Sequence, residues 1–496
     1  MPNASLLLED VAGQADLAGA DELARARPVH ARWSPVNAEF LDFVERNPEC
    51  LQRDAFASLS RDPSLAHYSL QPWPLFVGAR RRGETAEVAV GMDRLVKGVM
   101  ERFLDNAPAR IVEFYRGTPP ADGSPSMALQ LDEGMMALLL EEPSGVDAAP
   151  SRADYIETAE GLKFIEYNAG SALGGLHSDT LGELYLESEP VARFLAARGR
   201  RARASAIRPA LFRHVVEDTV RLGAWQGGDF NVAVAVRPHR PSVVALHSQE
   251  RYTDELRSVL REHGPAGDGR VLLCSLEEIA ADRSGLSLQG HRVHAVIDHQ
   301  NGQGDLRHVF RAFKIGQANL FGGPVGDVLS DKRNLAVLSE HAGSSEFTAA
   351  ERGLIERHLP WTRRVVPGAT AFRGRGFHIP DDLPGARASL VLKKASSLGG
   401  QFVEIGPFLD DGAWRRAVAR AVEEGDWVVQ EYLPTVPYAF QGPAGGAVRH
   451  ELVWGLFVFG AHYGGAYLRM RAAGHGGGVV NAGRGAEVGA ILEVDD

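Results

Sequence analysis

The chain has 496 residues, 44% of them apolar and 24% charged, which is enough to bury a large core and too apolar for a disordered chain. Its net charge of -11 and lack of a long basic run argue against nucleic acid as the main partner. The two cysteines, Cys50 and Cys274, cannot build a disulfide framework or a thiolate metal site. The first residues, M-P-N-A-S-L-L-L-E-D, lack a signal-peptide pattern and no stretch reaches membrane-spanning length, so the chain reads as cytoplasmic and without a membrane partner.

Residues 1 to about 35 are rich in Ala and Arg and predict a loose helix or an arm. From Asn37 to about Leu140 apolar residues recur at three- and four-residue steps, as in G-M-D-R-L-V-K-G-V-M-E-R-F-L, and predict packing helices. Two short strands follow, Ala153 to Ile156 and Leu162 to Asn168, joined by a turn at T-A-E-G. A register centred near Glu160 pairs Arg152 with Asn168, Asp154 with Glu166 and Ile156 with Phe164. The opposite face then carries Ala153, Tyr155, Ile165 and Tyr167 into a core. Two carboxylates directly opposite one another repel. A divalent cation reverses that sign, because Asp, Glu and an Asn carbonyl are the oxygen ligands Mg²⁺ takes. A solvated hairpin face fits the same spacing. Gly170, Gly174 and Gly175 then predict a loop that brings backbone close to a ligand.

A helix over Ala206 to Leu222 is predicted with a stripe through Leu211, Val215 and Val220. From Asn231 to Asp298, N-V-A-V-A-V-R, S-V-V-A-L, R-V-L-L-C and R-V-H-A-V-I-D read as strands around one helix, a small α/β unit. No G-x-G-x-x-G follows the first strand, so a dinucleotide site is not indicated. Further on, a helix runs from Thr348 to His358, and S-L-V-L-K-K is a strand whose end carries Lys393. Ser396, Ser397, Gly399 and Gly400 then form a small-residue loop suited to cover phosphates, although an exposed hairpin end reads equally well. A helix from Gly412 to Glu424 leads to W-V-V-Q-E-Y-L-P, where Gln430, Glu431 and Leu433 could line an adenine pocket or merely end a strand. In the last hairpin Arg469 and Arg471 alternate with Leu468 and Met470, so both face one side; guanidinium groups there suit a transferring phosphoryl group, or simply an exposed strand. The closing G-H-G-G-G-V-V-N-A-G-R-G-A-E-V-G-A reads as a glycine-rich loop.

Taken in order, these segments resemble the circularly permuted ATP-grasp ligases, typified by the synthetase domain of glutathionylspermidine synthetase. That branch carries R-x-D, E-x-N-x-x-S, a lysine, K-x-x-x-x-x-x-G and a Q-E hinge in this order. Here they are Arg152 and Asp154; Glu166, Asn168 and Ser171; Lys332; Lys393 with Gly400; and Gln430. The resemblance covers roughly residues 150 to 490. It departs from the pattern at Ser397 and Leu398, where the family has Gly-Arg, at Lys394, where a proline is usual, and in the long spacing from Lys332 to Lys393. No cysteine amidase domain is appended, which points to synthetase activity alone.

The resemblance implies an α/β (α+β) ATP-grasp fold, circularly permuted. It divides into a helical substrate-side region at 1–150, a first ATP-grasp segment with the metal hairpin at 151–228, a small pre-ATP-grasp α/β unit at 229–335, and a lid and nucleotide-binding segment at 336–496. It implies a ligase that joins a small carboxylate or peptide to an amine, using ATP and Mg²⁺ (two ions). Asp154, Glu166 and Asn168 would hold the metal, and Arg152, Lys332 and Lys393 the phosphates. Gly399 and Gly400 would cover them, Gln430, Glu431 and Leu433 would line the adenine pocket, and Ser171 would touch the substrate. Arg152, Arg469 and Arg471 are the candidate catalytic cations. A kinase of the same fold, or an inactive nucleotide-binding scaffold, are the alternative readings.

Overall fold

A computed structural model describes residues 21–116, 133–140, 143–171, 173–236, 243–262, 267–299, 305–397, 401–473 and 478–495. The Gly399 and Gly400 expectation lies outside them.

Among the described residues the chain is a mixed α/β structure organised on an eight-stranded sheet. Its main path runs Leu75–Gly78, Glu487–Val494, His462–Ala472, Ala447–Phe459, Ser151–Thr158, Gly161–Ala169, with Tyr438–Gln441 and Ala202–Ala204 added at the flanks. Sequence-distant segments therefore meet in the middle of one sheet: the C-terminal hairpin pairs antiparallel with the hairpin at 151–169. The helix Ala79–Lys97 packs against these central strands, and Trp33 stacks on Trp454 with ring centroids 3.6 Å apart. A second, fully parallel sheet has the order Asn319–Phe321, Ala295–Asp298, Phe230–Ala235, Gly269–Cys274 and a core of its own. A third, antiparallel sheet, Thr362–Arg364, Trp427–Glu431, Leu390–Lys394, Val403–Ile405, is backed by the helix Asp411–Glu424 through Trp414, Ala417 and Ala421.

The hairpin register holds for Arg152 with Asn168 and for Asp154 with Glu166, then shifts by a bulge, so that Tyr155 pairs with Phe164 and Ile156 with Lys163. The bulge changes which residues share a face. Phe164 turns into the core, where it stacks on Tyr155 at 5.1 Å, and Ile165 turns out of it. Three other expectations shift. The S-V-V-A-L run opens the helix Val243–Glu262 rather than forming a strand, since a short apolar run does not by itself separate the two. In the helix Ile207–Arg221, Val220 is half exposed and the buried stripe continues instead through Thr219, whose hydroxyl donates to the Val215 carbonyl at 2.6 Å. The glycine-rich tail does not stay a loop: Glu487–Val494 is a buried strand between Leu75–Gly78 and His462–Ala472. The helix Ala349–His358 begins as expected, with a reciprocal cap between Thr348 and Glu351.

The tail strand and the exposed Val220 predict opposite outcomes for similar truncations. Ile491→Ala, at 1% exposure in the tail strand, is expected to cost about 2–5 kcal/mol of stability. Val220→Ala, at 50% exposure, is expected to stay within about 0.5 kcal/mol. Urea unfolding of both variants measures the difference, and a cheap Ile491→Ala would contradict the buried strand.

Candidate functional site

Alternation along three adjacent strands builds the floor of a cleft. Arg152, Asp154 and Ile156 share one face of their strand. Asp154 lies between Glu166 and Gly455, and Ile156 lies beside Val453, which pairs with Arg469. Gly455 is needed here, because a Cβ at this position would come within 2.8 Å of the Arg152 side chain where it crosses the sheet. The roof is the third sheet, which contributes Lys393, Gln430 and the apolar Val391, Val403 and Ile405, with Phe408 beside them. Lys332, just before the helix Arg333–Glu340, closes one side.

Asp154 is buried, at 1% exposure. Arg152 Nε donates to its Oδ1 at 3.0 Å, Arg469 Nη2 lies 2.7 Å from its Oδ2, and Asn168 Nδ2 approaches the same oxygen at 3.4 Å. Burial alone would raise its pKa, but the guanidinium groups of Arg152 and Arg469 outweigh burial and hold it below the usual carboxylate value. The cross-strand repulsion is thus relieved by the chain's own cations: two arginines serve Asp154, and Lys332 Nζ sits 3.2 Å from Glu166 Oε1. The ring of Tyr467, with its centroid 5.9 Å from the Arg152 guanidinium and 5.6 Å from that of Arg469, forms the wall beside both arginines.

Lys393 sits under the roof. Its ammonium donates to the Ile165 carbonyl and to Gln430 Oε1, both at 2.8 Å, and Gln430 in turn donates to Thr362 Oγ1 at 3.0 Å. The bulge that turns Ile165 out of the core is what offers that carbonyl. The Lys393 pKa is lowered to about 8, chiefly by burial; Lys332 adds to the lowering, and Glu166 and Asp154 oppose it. Lys394 faces the other side of the strand, paired with Glu424 at 2.7 Å and Asp426 at 3.3 Å. Lys332 also donates to the Ser397 carbonyl at 2.7 Å, tying the loop after the lysine strand to the floor.

Asp154, Glu166, Lys332, Lys393, Gln430 and Arg469 therefore meet in one cleft, which Glu431 and Leu433 also line, and Arg152 is joined to it through its ion pair with Asp154. Asn168 stands at its edge beside Asp154. Arg471 lies further along its strand opposite Glu451, where its Nη2 donates to the Arg484 carbonyl at 3.1 Å. Glu431 is held by Arg373 at 2.8 Å. Ser171 lies apart from the cleft: its buried hydroxyl reaches the carbonyls of Asp298 at 2.5 Å and Phe321 at 3.0 Å, fixing the glycine loop to the parallel sheet. Sequence reading passed over Tyr467, Thr362 and the Val403, Ile405 and Phe408 wall. Tyr467 was accessible from the Tyr467, Arg469, Arg471 alternation, whereas the wall depends on how two sheets face each other.

No family model matches this sequence, and no curated protein matches it. Among solved structures, the chain is similar to a glutathione synthetase-like effector from Globodera pallida in its apo form, with TM-score 0.56 and 13% identity, covering 91% of this chain and 99% of that one. A protein named a putative gamma-glutamylcysteine synthetase from Methylobacillus flagellatus aligns at TM-score 0.34 and 12% identity over 82% of this chain and 88% of that one. The first of these shows a shared fold.

The ion pairs predict that Asp154→Asn is destabilising rather than neutral, because it removes the carboxylate with which the buried Arg152 and Arg469 both pair. The expected loss is about 3 kcal/mol or more at neutral pH. Since the folded pKa lies below the unfolded one, the contribution of Asp154 is present above about pH 4 and lost as pH falls through the folded value. Unfolding curves of wild type and variant should accordingly converge on acidification. A variant as stable as wild type at neutral pH would contradict the pairing.

Proposed function

We propose that the chain is an ATP- and Mg²⁺-dependent carboxylate–amine ligase on a circularly permuted ATP-grasp scaffold. The observation that carries this reading is the grouping of cations around Asp154 and Glu166, from floor, side and roof of the cleft. Four cationic side chains, Arg152, Lys332, Lys393 and Arg469, gather around Asp154 and Glu166, while of the two other carboxylates lining the cleft Glu431 is held by Arg373 and burial pushes the Glu451 pKa up. A buried surplus of positive charge stabilises a polyanion and is costly without one. The apolar Val391, Ile405, Phe408 and Leu433 beside it suit a flat ring, so the cleft is polar at one end and apolar at the other, as a nucleotide is. The fold shared with a glutathione synthetase-like protein supports the same reading.

The residues present fit Mg²⁺, which keeps several waters and takes one or two carboxylates together with substrate phosphates. Asp154 and Glu166 would hold it, with the Asn168 carbonyl alongside, while the Asn168 amide nitrogen stays on the Arg152 carbonyl at 3.2 Å. When bound, the ion neutralises charge on the phosphates. Lys393 and Lys332 would turn from their present carbonyl partners to phosphate oxygens, and Arg152 and Arg469 would hold the transferring group against Asp154. In the reaction, the substrate carboxylate attacks the γ-phosphorus of ATP, the bond to the β-phosphate oxygen breaks, and ADP leaves. The amine then attacks the acyl phosphate, inorganic phosphate departs with the bonding pair, and the amine loses its proton to give an amide. The cavity, at about 150 Å³, is smaller than the roughly 300 Å³ at which small-molecule sites begin, so binding requires the roof to lift. The Lys332 link to Ser397 is the contact that this motion breaks.

ADP and phosphate release, screened against pooled amino acids, small peptides and polyamines, tests the reaction. Release that needs both an acid and an amine is expected. Release with either alone marks a kinase, and none at all with retained ATP binding marks a nucleotide-binding scaffold.

The low Lys393 pKa gives a second, independent check. Phosphate binds the ammonium form, so affinity for a non-hydrolysable ATP analogue should fall as pH rises above about 8. Lys393→Met should bind about tenfold more weakly at neutral pH and lose that pH dependence. Lys394→Met, which removes a side chain on the far face of the strand, should change affinity less. Calorimetry across pH 7 to 9 measures all three.

A further inference from the structure

The hairpin that carries Asp154 and Glu166 has its bulge right beside them. Asp154 pairs with Glu166, yet Tyr155 already pairs with Phe164, so Ile165 is the extra residue and Glu166 is the first paired residue after it. At a bulge the ladder is locally disrupted. Moving this one by a single position would pair Asp154 with Ile165. Because side chains alternate, such a slip turns Glu166 and Asn168 out of the cleft and Tyr167 into it. The cleft face of the hairpin therefore depends on whatever fixes the stagger of its two strands next to the bulge.

The reverse face holds such a device. Ser151 and Tyr167 lie there on opposite strands; Ser151 pairs with Ala169 and Tyr167 with Ala153, which makes the two diagonal neighbours. One oxygen, Oδ1 of Asp93, accepts from both, from the Ser151 hydroxyl at 2.5 Å and from the Tyr167 hydroxyl at 2.6 Å. Hydroxyl donors approach an ionised carboxylate to about 2.5–2.7 Å, and such bonds are roughly twice as strong as neutral ones. Asp93 belongs to the helix Ala79–Lys97, outside the sheet, and is 3% exposed. Its other oxygen lies 3.0 Å from Lys97 Nζ, one turn along the same helix, and that ammonium also donates to the Asp147 carbonyl at 3.1 Å. The ion pair compensates a charge that is costly to bury alone, and it leaves Oδ1 to the hairpin. Ser151 precedes Arg152, and Tyr167 stands between Glu166 and Asn168. A single acceptor thus spans both strands at the residues that adjoin the cleft-facing groups.

We infer that Asp93 is a positioning residue for the metal: from behind the sheet it pins the hairpin register, and so sets the separation at which Asp154 and Glu166 are offered to Mg²⁺. The identity of the ion rests on the ligase reading. Asp93 itself touches neither the ion nor the nucleotide and acts only through Ser151 and Tyr167. Groups that orient metal ligands from outside typically carry about 10–100-fold of metal affinity.

Titration of Mg²⁺ into protein saturated with a non-hydrolysable ATP analogue, followed by calorimetry, tests the assignment. Tyr167→Phe and Ser151→Ala each remove one arm of the pin. Each should weaken Mg²⁺ by about tenfold or more, while affinity for the analogue in the absence of metal stays at the wild-type level. Tyr155→Phe is the matched control. The Tyr155 hydroxyl is buried on the same face of the hairpin and finds no hydrogen-bond partner among the described residues, so its removal should leave Mg²⁺ affinity unchanged. Circular dichroism checks the fold of all three, and either arm variant that folds decides. Unchanged Mg²⁺ affinity in a folded arm variant, an equal loss of metal and of metal-free analogue, or the same loss in Tyr155→Phe would overturn the inference and leave the ligase reading standing. A wild type that binds the analogue with no dependence on Mg²⁺ would remove the metal from that reading, and this inference with it.

Discussion

Everything near the cleft depends on one buried anion. Asp154 stands in the middle of the large sheet with a guanidinium on either side. A carboxylate at that depth is tolerated only because both cations reach it, and the cations are tolerated only because the carboxylate is there. The pairing also fixes geometry. Arg152 must cross the sheet over Gly455, Arg469 must come from the C-terminal hairpin, and so the first and last thirds of the chain are locked in register. With the charges of the floor placed, the two lysines are served less fully than the arginines. Lys332 shares Glu166, and Lys393 is left with a carbonyl and an amide. The lysines are thus the side chains that the proposed nucleotide reading relies on.

Much of this was legible from residue order. The Arg152–Asn168 and Asp154–Glu166 pairs follow from alternation and a turn at Gly161, and the opposite faces of Lys393 and Lys394 follow from alternation alone. The sequence did not disclose the bulge. An extra residue at Ile165 leaves the hydrophobic composition of the strand unchanged, so pattern reading slid past it and placed Phe164 on the wrong face. The consequence reaches the site, because the carbonyl that receives Lys393 belongs to the bulged residue. Repulsion between Asp154 and Glu166 was likewise visible, yet its resolution was not, since Arg469 and Lys332 lie hundreds of residues away and reach the pair only through the fold.

The tail shows the opposite difficulty. The glycines from 474 onward pull the eye toward a loop, and Gly489 sits within the strand that follows. In that strand the missing side chain makes room: a Cβ at 489 would come within 2.7 Å of the Met470 methyl group. Glycine here permits close packing of neighbouring strands rather than a turn, and composition cannot tell the two uses apart. The S-V-V-A-L run failed for a related reason, being short and apolar on every side, and so compatible with either period.

The loop from Gly170 to His177 joins these separate facts. At its start Ser171 is clamped to carbonyls at the carboxyl ends of two parallel strands; in its middle the Gly174 carbonyl receives Arg152; at its end His177 rests between Tyr68 and Tyr467. Gly174 and Gly175 both take positive φ, 62° and 87°, and a Cβ at 175 would lie 2.6 Å from the Tyr467 ring. The close approach explains why glycine occupies the position nearest that ring. One short segment is thus fastened to the parallel sheet, to the buried arginine and to the Tyr467 ring.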